Sequence, residues 1–242
     1  MTDRVFVIAE AGVNHDGSLD DALSMVDVAA GAGADAVKFQ TFDATRLATR
    51  RAGKAAYQVR NTGADDGQLA MLKALELDRD AHRALADRAA QRGVRFMSTA
   101  FDLDSLAFLA TLDMPAVKIP SGDLTWGAML LRAARLGRPL IVSTGMATLD
   151  EVRAALAVIA FALTREGTPS GETELDAAFA DPAARALMRE RVTLLHCTTE
   201  YPAPLAAVNL RAMDLMADTF GLPVGYSDHT LGATVAVAAA AR

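Results

Sequence analysis

The chain has 242 residues, 52% of them hydrophobic and 22% charged, with a formal net charge of −6. That composition supplies a sizeable core and excludes wholesale disorder. The acidic balance argues against a general nucleic-acid or anionic-membrane binder, which carries a basic stripe. The single cysteine, Cys197, excludes an intrachain disulfide and fits a reducing compartment. The opening MTDRVFVIAEAG has too short an apolar run for a signal peptide. The longest apolar run, ATVAVAAAA at 233–241, is far below a spanning helix. A cytoplasmic protein is expected.

In chain order, seven short apolar runs read as strands: VFVIAE (5–10), DAVKFQT (35–41), VRFMSTA (94–100), AVKIPSG (116–122), PLIVSTG (139–145), VTLLHCT (192–198) and PVGYSD (223–228). Their near-continuous apolar character suits parallel strands covered on both faces. Helical patterns lie between them, at 18–31, 68–76, 79–92, 103–112, 126–136, 148–163, 174–190, 207–219 and 231–241. Ser18 with Asp21, and Thr148 with Glu151, have the spacing of helix starts. Residues 42–66 form a long polar connection and 165–173 a second loop.

Such alternation predicts an α/β fold. Nearly every strand ends in a polar group, and in a parallel barrel those ends share one mouth. The expectation is a TIM (β/α)8-type barrel forming a single domain over 1–242. Seven units are legible, so the eighth strand is expected to be missing and the domain C-terminally incomplete.

Lys38 and Lys118 each interrupt an apolar strand. Lysine is almost never buried without a partner, so the pair suggests an anion site; either could instead form a Schiff base. Ser121-Gly122 and Ser143-Thr144-Gly145 place hydroxyls beside glycine, which suits phosphate binding or plain turn chemistry. Glu10 could bind metal, move a proton or pair with Lys38. His15, in NHDG, reads as an exposed loop residue beside a cap. His196 and His229 end the sixth and seventh strands, where they could bind a divalent metal or be hydrogen-bonded core residues. GAGADA at 31–36 imitates a dinucleotide fingerprint, but it follows a helix and precedes a strand, the wrong context.

The motifs IAEAGVNHDGS, AGADAVKFQTF, FMSTAFD, VKIPSGDLT, IVSTGMAT, LLHCTTEYPAP and VGYSDHT, in this order, resemble the nonulosonic (sialic) acid synthases over essentially the whole chain. The resemblance implies condensation of phosphoenolpyruvate with an N-acetylated mannose-type sugar, with a divalent metal, Mn²⁺ or Mg²⁺. It implies that Lys38, Thr99, Lys118, Ser121 and Ser143 hold phosphoenolpyruvate and that Gln40 and Tyr201 border the sugar. Ser227 would lie near the phosphate or metal, Glu10 would be the catalytic carboxylate, and His229 a metal ligand with a part in catalysis. A C-terminal antifreeze-like domain, which in the family contributes to the partner's site in a homodimer, is not found in these residues. TTEYPAP is closer to the neuraminate and legionaminate branches than to the pseudaminate branch. Two other readings compete: a truncated barrel that binds ligand without turnover, and a Schiff-base aldolase on Lys38 or Lys118.

Overall fold

The computed structural model describes residues 4–49, 51–53 and 67–242. The fold is α/β, and the chain divides into two compact units, Met1–Pro115 and Ala116–Arg242.

The first unit runs β1 (Ile8–Gly12), α1 (Leu19–Gly31), β2 (Ala36–Thr41), α2 (Ala44–Leu47), α3 (Gln68–Leu75), α4 (Arg79–Arg92), β3 (Arg95–Ala100) and α5 (Leu103–Leu109). β1, β2 and β3 pair in parallel, with Glu10 opposite Lys38 and Gln40 opposite Thr99. Phe39 is fully buried and stacks on Phe96 at 6.1 Å between ring centroids. The first strand starts later than its apolar run suggests. Val5, Phe6 and Val7 are exposed, and the Val7 carbonyl accepts from the amides of Asp35 and Ala36 at the entry to β2.

Several helix starts in this unit are capped by side chains. Ser18 accepts from the Asp21 amide, and Asp78 caps α4 through the Ala81 amide at 2.8 Å. Gly93 ends α4 at φ 71°, where a side chain would be strained. The polar connection after β2 begins with α2, which packs with α3 around Phe42, Ala44 and Leu72; its stretch 54–66 lies outside the described residues.

The second unit runs β4 (Val117–Ile119), α6 (Gly127–Ala134), β5 (Leu140–Ser143), α7 (Leu149–Thr164), α8 (Glu172–Ala180), α9 (Pro182–Arg191), β6 (Val192–Cys197), α10 (Arg211–Phe220), β7 (Val224–Ser227) and α11 (Thr234–Ala240). Its four strands are parallel and paired in chain order, with Lys118 opposite Ile141, Ser143 opposite Leu195 and Cys197 opposite Ser227. Thr148 and Glu151 form a reciprocal capping box at the start of α7.

Three further expected elements differ. The strand expected over 116–122 shrinks to three residues because Pro120 has no N–H for a ladder, and a 3₁₀ turn, Ser121–Asp123, follows. The helix expected over 174–190 is two helices. Pro182 disfavours helical backbone at Asp181, which is extended and caps α9 through the Ala183 amide at 2.8 Å. The helix expected from 207 begins at Arg211, after Asn209 at φ 41°.

Among the described caps of the first unit, Asp102 carries the most connections. Its buried carboxylate accepts from the amides of Asp104 (3.0 Å) and Ser105 (2.8 Å), from Ser105 Oγ (2.6 Å) and, across 59 residues, from the Asp43 amide (3.2 Å). Replacing Asp102 with alanine strands those donors and is expected to destabilise the chain by about 2–3 kcal/mol. Asp104→Ala, which removes an exposed pair with Arg46, should change stability by less than about 0.5 kcal/mol. Urea denaturation of both variants checks the difference.

Candidate functional site

In the first unit the strand ends gather four of the expected residues on one face. Strand side chains alternate, so Lys38 and Gln40 share a face of β2, and the register puts Glu10 and Thr99 beside them. Lys38 is buried, and its ammonium forms an ion pair with Glu10, whose side chain is half exposed. Gly12 explains how β1 delivers this carboxylate. At φ 57°, a β-carbon on Gly12 would stand 3.2 Å from Glu10 Oε1 and 3.7 Å from Gln40 Nε2. Backbone, carboxylate and amide converge there because no side chain intervenes. Thr99 is buried beside them.

In the second unit Lys118 is buried in β4. Its Nζ donates to Ser143 Oγ at 2.7 Å and to the Ile119 carbonyl at 3.1 Å. Ser143 and Ser227 lie on the same face of the sheet as Lys118, by the pairing of β4 to β7. Ser121 sits in the 3₁₀ turn after β4 and is partly exposed. The loop after β5 is pressed onto the end of β6. Thr144 donates its amide and its hydroxyl to the Leu195 carbonyl, both at 3.0 Å. A β-carbon on Gly145 would meet Cys197 Sγ at 2.5 Å, so only glycine fits.

His229 is held on three sides. Its Nδ1 lies 2.6 Å from the Thr198 carbonyl. A carbonyl only accepts, so Nδ1 carries the proton, and in the neutral ring Nε2 keeps its lone pair. The Tyr201 ring stacks on the imidazole at 4.2 Å, and Ser227 Oγ and Tyr201 Oη stand 3.3 and 3.4 Å from Nε2. A neutral imidazole oriented by a backbone carbonyl is the usual form of a metal-ligating histidine. His229 therefore fits as one ligand. Among the described residues, no group of three His, Cys, Asp or Glu side chains is close enough to hold an ion, so these residues do not make a complete set.

The other histidines divide differently. His196 points to the opposite face of β6, in register with Tyr226, and its Nε2 donates to the Val208 carbonyl at 2.6 Å. It is the hydrogen-bonded alternative of the two open at sequence level. His15 is not exposed as expected but buried: its Nδ1 accepts from the Gly17 amide at 3.1 Å, closing the NHDG turn. Burial, and then the neighbouring His82, hold its pKa below the usual histidine value.

One carboxylate was not singled out from the sequence. Asp123, at the end of the Ser121–Asp123 turn, has its Oδ2 buried without a hydrogen-bond partner among the described residues. Burial pushes its pKa up to about 6. The available signal was an acidic residue directly after a strand-end Ser-Gly pair, ahead of Leu124, which is fully buried.

Two strand-end clusters thus present a paired lysine each, one with a carboxylate and an amide, the other with serine hydroxyls and an oriented imidazole. Such groups can hold an anionic, multiply oxygenated ligand and move protons near it. Comparison with known proteins gives the class. A model of the family described as "NeuB family" matches residues 25–242, and the chain belongs to that family. It is 43% identical to the N,N'-diacetyllegionaminic acid synthase of Campylobacter jejuni, covering 98% of this chain and 64% of that protein. It is 44% identical to the Legionella pneumophila protein of the same name, covering 95% of this chain and 59% of that one. The chain therefore spans roughly three-fifths of the length of these relatives. The crystal structure of an N-acetylneuraminic acid (sialic acid) synthetase from Leptospira borgpetersenii superposes with a TM-score of 0.76 at 27% identity, over 98% of this chain and 70% of that one. Among the described residues, no helix is long and apolar enough to cross a membrane.

In wild-type chain the folded Asp123 carboxyl binds its proton more tightly than the unfolded one. Its contribution to stability falls as pH rises from 3.8 to about 6, then levels off. Asp123→Asn removes that titration. The variant is expected to gain on wild type across this window, with no further gain above it. Denaturation at about pH 4 and about pH 7 reads the change, and a pH-independent difference would overturn the raised pKa.

Proposed function

We propose that this chain is the barrel portion of a nonulosonic acid synthase, a (β/α)8-type barrel enzyme of the N-acetylneuraminate or N,N'-diacetyllegionaminate type. It condenses phosphoenolpyruvate with an N-acetylated mannose-type sugar and releases phosphate by C–O cleavage. The names of the C. jejuni, L. pneumophila and L. borgpetersenii relatives support the reaction class. The observation that carries the reading in the chain itself is buried Lys118, bonded to Ser143 on the face that also bears Ser227. A buried ammonium bonded to a hydroxyl at a strand end suits the holding of an anion.

In this reading Lys38, Thr99, Lys118, Ser121 and Ser143 hold the phosphate and carboxylate of phosphoenolpyruvate, while Gln40 and Tyr201 border the sugar. Fixing both reactants turns a bimolecular encounter into an oriented one. Carbon 3 of the enol forms the new C–C bond to the sugar aldehyde, and positive charge develops at carbon 2. Glu10, anchored by Lys38 yet open to solvent, stabilises that charge or takes the proton of the water that adds there. The tetrahedral intermediate then loses inorganic phosphate as its C–O bond breaks. His229 would be one ligand of a Mn²⁺ or Mg²⁺ ion, with Ser227 beside it. When bound, that ion supplies Lewis-acid polarisation of the aldehyde. A homodimeric, cytoplasmic enzyme is part of the same proposal.

The test is phosphate release from phosphoenolpyruvate with Mn²⁺ and either N-acetylmannosamine or its 2,4-diacetamido-trideoxy analogue. Release should require a sugar, stop with chelator, and be fastest with the true substrate. Lys118→Ala should lower kcat/KM by roughly 10²–10³-fold, the scale of a lost charge-assisted contact to the reacting group. Unchanged release by Lys118→Ala would sink the reading. Ligand binding without turnover would favour the binding-only alternative.

A further inference from the structure

Gln40 stands at the end of β2, and its backbone has an unusual partner. The Thr41 carbonyl accepts from the Phe101 amide at 3.1 Å, so the peptide groups of Thr41 face β3. Successive residues of a parallel strand face opposite neighbours, so those of Gln40 face β1. The β1–β2 ladder, however, ends at the pair Gly12 and Phe39, after a register shift. Beyond it the chain turns away, with the Asn14 amide bonded to the Ala11 carbonyl at 3.0 Å. The Gln40 carbonyl lies past the reach of its ladder.

His82 meets it there. This residue of α4 is buried, and its Nε2 lies 3.2 Å from the Gln40 carbonyl across 42 residues of sequence. The ring is fixed from other sides as well. Phe108 of α5 packs on it edge-on at 6.1 Å, and the guanidinium groups of Arg79 and Arg83 stand over the same Phe108 ring at 5.3 and 5.2 Å. Nδ1 lies 2.8 Å from the Asp78 carbonyl, which already receives the His82 backbone amide in the first turn of α4. Of the two carbonyls facing the ring, that of Gln40 is the one the backbone ladder does not serve. A carbonyl left without a donor away from water is costly, and a proton on Nε2 would supply one.

We propose that His82 is a positioning residue: its Nε2–H holds the Gln40 carbonyl and so fixes the end of β2 that carries Lys38 and Gln40. The inference needs a proton on Nε2, whether the ring is neutral or charged. Its effect on catalysis rests on the reading that Gln40 borders the sugar, but the structural clamp does not.

Glutamine and asparagine variants separate the two ring nitrogens, because a glutamine amide reaches the position of Nε2 and an asparagine amide that of Nδ1. Nitrogen-15 NMR of the histidine rings in the full chain should show a protonated Nε2 on His82; an unprotonated Nε2 overturns the proposal. Amide hydrogen exchange over residues 38–41 should quicken about 10-fold in His82→Asn and His82→Phe, the scale of one lost hydrogen bond, and stay within about 2-fold of wild type in His82→Gln. Equal exchange in all three variants would also overturn it. In the condensation assay, His82→Asn should raise the sugar KM about 10-fold with kcat little changed, and His82→Gln should restore it. If Gln40→Ala leaves the sugar KM unchanged, the assignment of Gln40 to the sugar fails while the exchange result still judges His82. If Gln40→Ala raises it and His82→Asn does not, the positioning role fails.

Discussion

A lysine inside a parallel strand cannot be left alone. Both faces of such a strand are covered, and an unpaired ammonium there costs several kcal/mol. Lys38 and Lys118 occupy that position in β2 and β4, and the chain answers each differently. Lys38 takes a full negative charge from Glu10 on the adjacent strand. Lys118 takes a hydroxyl and a carbonyl, Ser143 Oγ and Ile119 O, with a further interaction besides. The Glu10 carboxylate is tied to a cation yet half exposed, so it can act on a ligand while remaining anchored.

Holding these groups still requires the chain after each strand to be fixed, and the caps do this. Asp102 starts α5 and simultaneously ties down the Asp43 amide after β2. Asp43 in turn accepts from the Thr45 amide and hydroxyl to start α2. Bonding to Thr45 holds the Asp43 carboxyl below the usual aspartate range. In the second unit Thr144 bonds back to β6 before Thr148 opens α7. Side chains presented from loops tolerate little slack, and here the amides that follow β2, β3 and β5 are taken up by these bonds.

Much of this was legible in the sequence because it follows from patterns of short range. Apolar runs with no alternation gave the parallel strands, Thr148 and Glu151 gave a capping box, and lysines in apolar strands marked buried ammonium groups that need partners. Two of the misses, His15 and His82, share a physical cause: a partner distant in sequence. His15 looked like a loop residue because NHDG is polar, yet the turn folds its ring inward against the Phe39 side. His82 lay in an ordinary amphipathic helix, and its partner carbonyl is 42 residues away. Asp123 resembled turn chemistry, and only burial distinguishes it. The breaks after Ile119 and at Asp181 differ, since Pro120 and Pro182 state them locally.

The stretch VGYSDHT shows how three consecutive polar residues divide the work. Ser227 ends β7 facing the same side as Lys118. Asp228 points elsewhere and accepts from the Thr230 amide and hydroxyl at 2.9 and 2.8 Å, making the turn that ends the strand. That turn brings His229 back beside Ser227, where three constraints from the loop after β6 converge. The Thr198 carbonyl fixes the tautomer, the Tyr201 ring fixes the plane, and the Ala203 amide donates to the His229 carbonyl at 2.8 Å. A histidine kept merely for packing would not need its lone pair aimed. Here the backbone oxygen forces the proton onto Nδ1 and leaves Nε2 facing two hydroxyls at distances too long for strong bonds. An acceptor oriented this firmly and satisfied this weakly is suited to a Lewis acid, and Tyr201 and Thr198 deserve to be counted as part of the site because they set that orientation.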